Sequence, residues 1–211
     1  DTDSVFVVSN TNSYDDAMKV GKELQSKIND FYNKEIKKEY NRESHLDIQF
    51  DKCFIRFLMP MIRSGTAGAK KRYAGLHVKD GKEGILSVGI ESVRSDWTDA
   101  AQEFQLQLLN KIFHKEEPIT FIKKFVTDIK SGKYDDKLVY RKSIRKELEH
   151  YVKTTPPHVK AARKLDRLDG RMVEYVMTED GPEPIQKLQH KLDYDHYIDK
   201  QIKPIADNVL T

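Results

Sequence analysis

Two carboxylates flank a threonine at the head of the chain, in DTDSVFVV, and that spacing is the first arrangement in the sequence able to do chemistry. Val5, Phe6, Val7 and Val8 follow as a short run whose β-branched and aromatic content predicts a buried strand. Residues two apart on an extended chain share a face. Asp1 and Asp3 would then lie side by side at the strand mouth and repel unless a cation joins them. A hard divalent ion such as Mg²⁺ suits the place, since it takes oxygen ligands and is commonly held by one or two carboxylates with phosphate oxygens. The same residues also fit an acidic turn open to water.

Cations come next. AKKRYAGL, residues 69–76, sets Lys70, Lys71 and Arg72 before Tyr73 on an incoming strand. Alternation sends Lys71 and Tyr73 to one face, and Lys70 and Arg72 to the other. A cation beside an aromatic, near a glycine that permits close approach, suits sugar and phosphate. Lysines guarding an edge strand against aggregation would read the same way. GIESVRSDW, residues 89–97, alternates acid and base through Glu91, Arg94 and Asp96 and predicts an ion-pair network with Trp97 as a packing anchor. Between Lys137 and Arg171 stand eleven Lys or Arg against four acids, a local net charge of +7 in a chain whose total is +3. Such a block fits a polyanionic partner or a solvated helix face.

Other chemistries find no support. The seven histidines lack zinc spacing, and no nucleophile elbow or glycine-rich phosphate loop follows a strand. The single cysteine, Cys53, has no partner for an internal disulfide; a small buried hydrophobe in a reducing, cytosolic compartment is the expectation. With 34% charged residues and no apolar stretch near the roughly 20 residues of a bilayer span, a membrane protein is excluded. The chain lacks an initiator Met and ends inside a helical pattern, so it reads as a fragment of a longer protein.

These residues need elements to position them. Ala17, Val20, Leu24, Ile28 and Phe31 recur at helical spacing behind Ser13 and predict a capped amphipathic helix to about Tyr40. Residues 46–62 suggest strand, 64–68 a loop, and 70–90 a β-hairpin turning at KDGKE. From Trp97 the pattern becomes helical. One helix carries Ala101, Phe104, Leu108 and Ile112 behind Asp96 or Thr98, and a second opens at Pro118 with Ile119, Ile122, Val126 and Ile129 on one face. Paired prolines lead into a short helix over 158–168; MVEYVMT is a strand, EDGPEP a turn, and 193–210 a last helix kinked by Pro204.

Taken in order, DTDS before an apolar strand, KKRYAGL, GIESVRSDW, VYRKSIRK, PPHVKAARK, YVMTEDGPEPI and LDYDHYIDKQIKPIA resemble the family B DNA polymerases, with bacterial members the nearest likeness. The resemblance covers nearly the whole chain. It implies an α+β fragment: a partial palm domain over 1–96, with antiparallel strands and a packed helix, followed by a mainly α-helical thumb over 97–211. Asp3 resembles the ligand shared by two catalytic Mg²⁺ ions, with Asp1 secondary to it. Lys70, Lys71 and Tyr73 match a motif that touches primer-template DNA near its growing end. Arg141, Lys142, Arg145, Lys160, Arg163 and Lys164 become the thumb's candidate DNA-binding residues.

The implied activity is template-directed nucleotidyl transfer from deoxynucleoside triphosphates to a primer, in a bacterial cytoplasm near the nucleoid, with a sliding clamp as a further partner through a tail beyond this sequence. The family's other catalytic aspartate lies upstream of this sequence, and the fingers and exonuclease are not in it. The Tyr-Gly that usually precedes the aspartates is missing, and Ser95 stands where many relatives have a second arginine. The fragment alone is therefore expected not to polymerise DNA. The alternative is a sequence-independent duplex-binding module without catalysis.

Overall fold

In a computed structural model the described residues are 4–60, 71–79, 81–152 and 155–210. Asp1, Asp3, Lys70 and the expected 64–68 loop lie outside them. The chain divides into two compact units, Asp1–Phe57 with Gly75–Leu86, and Leu58–Ala74 with Ser87–Thr211. Among the described residues, helices accompany two three-stranded sheets, the α+β make-up that the sequence predicts.

The first unit is built along helix α1 (Tyr14–Tyr40). Ser13 caps it, its Oγ accepting from the Asp16 N–H at 3.1 Å and donating to the Asp16 carboxylate at 2.7 Å. Asp15 and Asp16 sit in the first turn and Lys37 and Lys38 in the last, as the helix dipole favours. Asn41 ends the helix in the left-handed region, with φ 50°.

The strand expected over 46–62 shrinks to β1 (Arg56–Leu58), for a physical reason. The preceding backbone bonds to amide side chains of α1 instead of to a neighbouring strand. Ile48 N–H donates to Asn29 Oδ1 at 2.8 Å, Asn29 Nδ2 donates to the Ile48 carbonyl at 2.9 Å, and Phe50 N–H donates to Gln25 Oε1 at 2.8 Å. The Phe50 ring fills the space beside Gly21. β2 (Tyr73–Lys79) and β3 (Lys82–Val88) form the expected hairpin, and the sheet order is β1-β2-β3.

The opening run is not the buried strand expected. Residues 4–11 take no regular structure, and Val5 and Val8 are 80% and 82% exposed. No strand pairs with the run among the described residues; Phe6 stacks on Phe57 at 4.7 Å between ring centroids.

The second unit has a core of its own. Helix α2 (Asp99–Phe113) is capped by Thr98 and buries Ala101, Phe104, Gln105, Leu108 and Leu109 on one side. Helix α3 (Pro118–Lys130) begins at proline, and the Glu117 carboxylate accepts from the Ile119 and Thr120 amides at 2.5 and 2.9 Å. Its buried face is Phe125 and Ile129, with Phe121 alongside; of the expected stripe Ile129 is buried, Ile122 and Val126 are half-buried and Ile119 is exposed. The cause is aromatic packing: Phe104, Phe121, Phe125 and Tyr134 cluster with neighbouring ring centroids 4.4–5.8 Å apart.

Strands β4 (Tyr140–Ser143), β5 (Met172–Thr178) and β6 (Gly181–Pro184) make an antiparallel sheet with β5 central. EDGPEP is therefore a turn plus a short edge strand. Helix α4 (Pro157–Ala162) is shorter than the 158–168 expected: after Ala162 the backbone tightens into three-residue turns, with the Lys164 and Leu165 amides donating to the Ala161 and Ala162 carbonyls at 3.0 and 3.1 Å. It lies on the sheet through Val159, Ala161 and Ala162, against Val173 and Tyr175. The last helix comes in three parts: α5 (Tyr194–Tyr197), a wide π-type turn over Ile198–Ile202, and α6 (Lys203–Leu210). The disturbance expected at Pro204 is this wide turn just ahead of it.

Candidate functional site

The site begins with two stretches that the sequence kept apart and the second unit joins. Ala74 is fully buried at the start of β2, which fixes which way its neighbours turn. Arg72, two residues back, points its guanidinium onto the carboxylate of Glu91, in a short turn at Glu91–Val93. Glu91 is 4% exposed, and its other oxygen accepts from Gln105 Nε2 of α2 at 2.8 Å. Gln105 Oε1 in turn accepts from the Ser92 N–H at 2.5 Å. Gly89 lies against the Lys71 carbonyl with φ +61°, where any side chain would collide with that oxygen. The ion-pair network expected around GIESVRSDW is thus present, but its buried half reaches back to KKRY. Gly75, expected to let a ligand approach, is instead covered by the Phe54 ring.

The exposed half of that network opens a groove. Arg94 pairs with both Asp96 oxygens at 2.7 and 2.9 Å, which holds the Asp96 carboxyl below the usual carboxylate range. The groove beside them has a volume of about 1130 Å³, and Arg94, Arg141, Lys142, Arg145, Tyr151 and His158 are among its walls. Burial, and then the charge of Lys142, push the His158 pKa down, so the ring is neutral near pH 7.

The six expected thumb cations divide by what holds them. Arg141 donates to Glu174 at 2.9 Å and Asp99 at 3.0 Å. Arg163 donates to the Leu148 and Tyr151 carbonyls at 2.9 and 3.2 Å. Lys164 lies 3.3 Å from Glu183. Among the described residues, the side chains of Lys142, Arg145 and Lys160 make no hydrogen bond or ion pair. Lys71 is exposed and Tyr73 half-buried.

Asp180, Glu183 and His190 bring ligand atoms within 4.8 Å of one another, but they do not suit a metal. Burial pushes the Glu183 pKa up. The Gln189 and His190 amides, the His190 ring and the Lys164 ammonium outweigh that and hold it at about 2. Its oxygens are taken, and Lys164 repels an added cation. Glu183 clasps the loop after β6, through Gln189 and His190, to Lys164 in the turn after α4.

Sequence reasoning overlooked Gln105 and Tyr151. Gln105 had a signal: it falls four residues after Ala101 on the apolar side of α2, where a polar group needs a buried partner. Tyr151 had none, since its hydroxyl accepts from the Arg145 N–H only because the chain folds back there.

A family model described as DNA polymerase family B matches residues 1–211. DNA polymerase II of Escherichia coli is 36% identical over 222 residues, covering 100% of this chain and 28% of that protein. DNA polymerase 2 of Aeropyrum pernix is 31% identical, over 80% of this chain and 22% of its own length. The DNA polymerase delta catalytic subunit of Plasmodium falciparum is 29% identical, over 98% and 19%. The chain spans less than a third of each of these relatives.

Proposed function

This chain belongs to DNA polymerase family B, and from that premise we propose that its second unit grips primer-template duplex by the backbone, as part of an enzyme that transfers nucleotides to a primer. The observation that carries the reading is the cationic groove with Lys142 and Arg145 left without partners in its wall. A grip that must hold any sequence should neutralise phosphates rather than read base edges. Lys142, Arg145 and Lys160, with Lys70, Lys71 and Tyr73, are the contacts in this reading. Arg141, Arg163 and Lys164 are committed to acids and carbonyls, and so hold the surface in shape while adding charge.

The proposed division is a partial palm over 1–96 and a thumb over 97–211. Asp3, with Asp1 beside it, would hold Mg²⁺, for which an all-oxygen donor set is suitable. When bound, a pair of such ions supplies charge stabilisation at the attacking and leaving oxygens of phosphoryl transfer. Deoxynucleoside triphosphates are the co-substrate, the bacterial cytoplasm near the nucleoid the location, and a sliding clamp a further partner. The 211 residues alone bind duplex without polymerising it.

Fluorescence anisotropy of the chain with a primer-template duplex, across a salt series and beside single-stranded DNA, tests this. Duplex binding should weaken by about 0.9 log units per log unit of salt for each phosphate neutralised. Lys142→Ala and Arg145→Ala should each lower that slope by about one contact. No duplex binding at low salt, or an unchanged slope in both variants, would refute the grip.

A further inference from the structure

We infer that Glu91 is a positioning residue, which aims the Lys71–Tyr73 stretch at DNA by locking Arg72 to helix α2. The inference rests on the reading of Lys71 as a duplex contact. Glu91 answers the Arg72 guanidinium with one oxygen and Gln105 with the other. The Arg72 Nε is buried without an acceptor, so the guanidinium depends on this carboxylate for its place. The backbone is held as well, where Gly89 lets the chain pass against the Lys71 carbonyl. Arg72 is thereby fixed inward at the point where β2 begins with a buried Ala74. Alternation along the strand then turns Tyr73 away from the core side, and Lys71 is left exposed. Gln105 carries the constraint into α2, whose neighbours Phe104 and Leu108 are fully buried and do not shift easily. Three separate sequence features, KKRY, GIESVRSDW and a polar residue on an apolar helix face, meet in this one contact.

A merely structural Glu91 would lower stability and leave the phosphate count alone. The two are separated by a double-substitution cycle on the full chain, read by duplex affinity and by salt slope. Lys71→Ala should lower low-salt affinity several-fold and reduce the slope by about one phosphate contact. Glu91→Gln should reduce the slope by a similar amount. In the Lys71→Ala background it should then cost less than twofold, because the contact it positions is already gone. Gln105→Met, which keeps the Arg72–Glu91 pair but removes the Gln105 bonds to Glu91 and to the Ser92 amide, should give the same pattern more weakly, and it serves if Glu91→Gln fails to fold. Equal fold-losses in both backgrounds, or a lowered melting temperature with an unchanged slope, would overturn the positioning role. If Lys71→Ala itself changes neither affinity nor slope, the reading of Lys71 as a DNA contact fails first and takes the inference with it.

Discussion

Helix α1 runs for 27 residues and buries none of them, whereas α2, with 15, buries seven. Both carry apolar residues at the same helical spacing, and both are capped by a hydroxyl. The difference lies in what covers the stripe. Around α2 the chain supplies Phe125, Ile129, Tyr197 and Ile202, all nearly fully buried. Along α1 it supplies residues 46–54, which take no regular structure and bond to the helix through amide side chains. An amphipathic pattern therefore states that a helix has a face to hide. It does not state that the same chain hides it.

The sharpest way to break that contrast is to remove an aromatic ring from each helix. Phe104→Ala should cost about 4 kcal/mol, since its ring is fully buried and its cavity cannot collapse around stacked neighbours. Phe31→Ala, at a site 58% exposed, should stay within about 0.5 kcal/mol. Urea denaturation of both variants measures this, and equal losses would dissolve the distinction.

Acid tests the second unit alone. The Glu183 pKa falls from an ordinary 4.5 to about 2 on folding, so the unfolded chain binds the extra proton between those values. The stability it contributes is full above pH 4.5 and is lost as the pH falls toward 2. Glu183→Ala should cost about 3 kcal/mol at pH 7 and show a flatter loss through that window. A variant with the same acid profile as the parent would show that the clasp contributes little.

Backbone strain gives a smaller contrast. Gly89 and Gly81 both have positive φ, but only Gly89 faces a carbonyl where a side chain would go. Gly89→Ala should cost about 3 kcal/mol and Gly81→Ala about 1 kcal/mol, read as shifts in thermal midpoint. The two caps should differ least. Thr98 is buried and also bonded to Gln201, so Thr98→Ala should lose about 2 kcal/mol. Ser13→Ala should lose about 0.5 kcal/mol at its exposed cap.

What the sequence made legible follows from what local patterns can carry. Caps, helical spacing and the hairpin are set by neighbours within a few residues, and Ser13, Thr98, Pro118 and strand β5 stand where the pattern puts them. The run Val5–Val8 carries a strong strand signal, yet a strand requires a partner, and pairing is not a local property. The same holds at the site. Charge at 137–171 could be counted, but which cations are engaged depends on Asp99, Glu174 and Glu183, which come from other elements. Glu91 and Arg94 could be flagged as a network, while the Arg72 connection needs the fold to bring two stretches together.

The wide turn at Ile198–Ile202 acts as a phase adjustment. Tyr197 before it and Ile205, Ala206 and Val209 after it are all buried, yet on an unbroken α-helix the later three would arrive about a quarter- to a half-turn out of line with the first. One added residue in the turn brings the two stripes onto a common side. Deleting a residue there would rotate the last eight residues by about 100° and carry Ile205 and Val209 toward water without changing either side chain. At this end of the molecule the count of residues, more than their identity, determines what is kept dry.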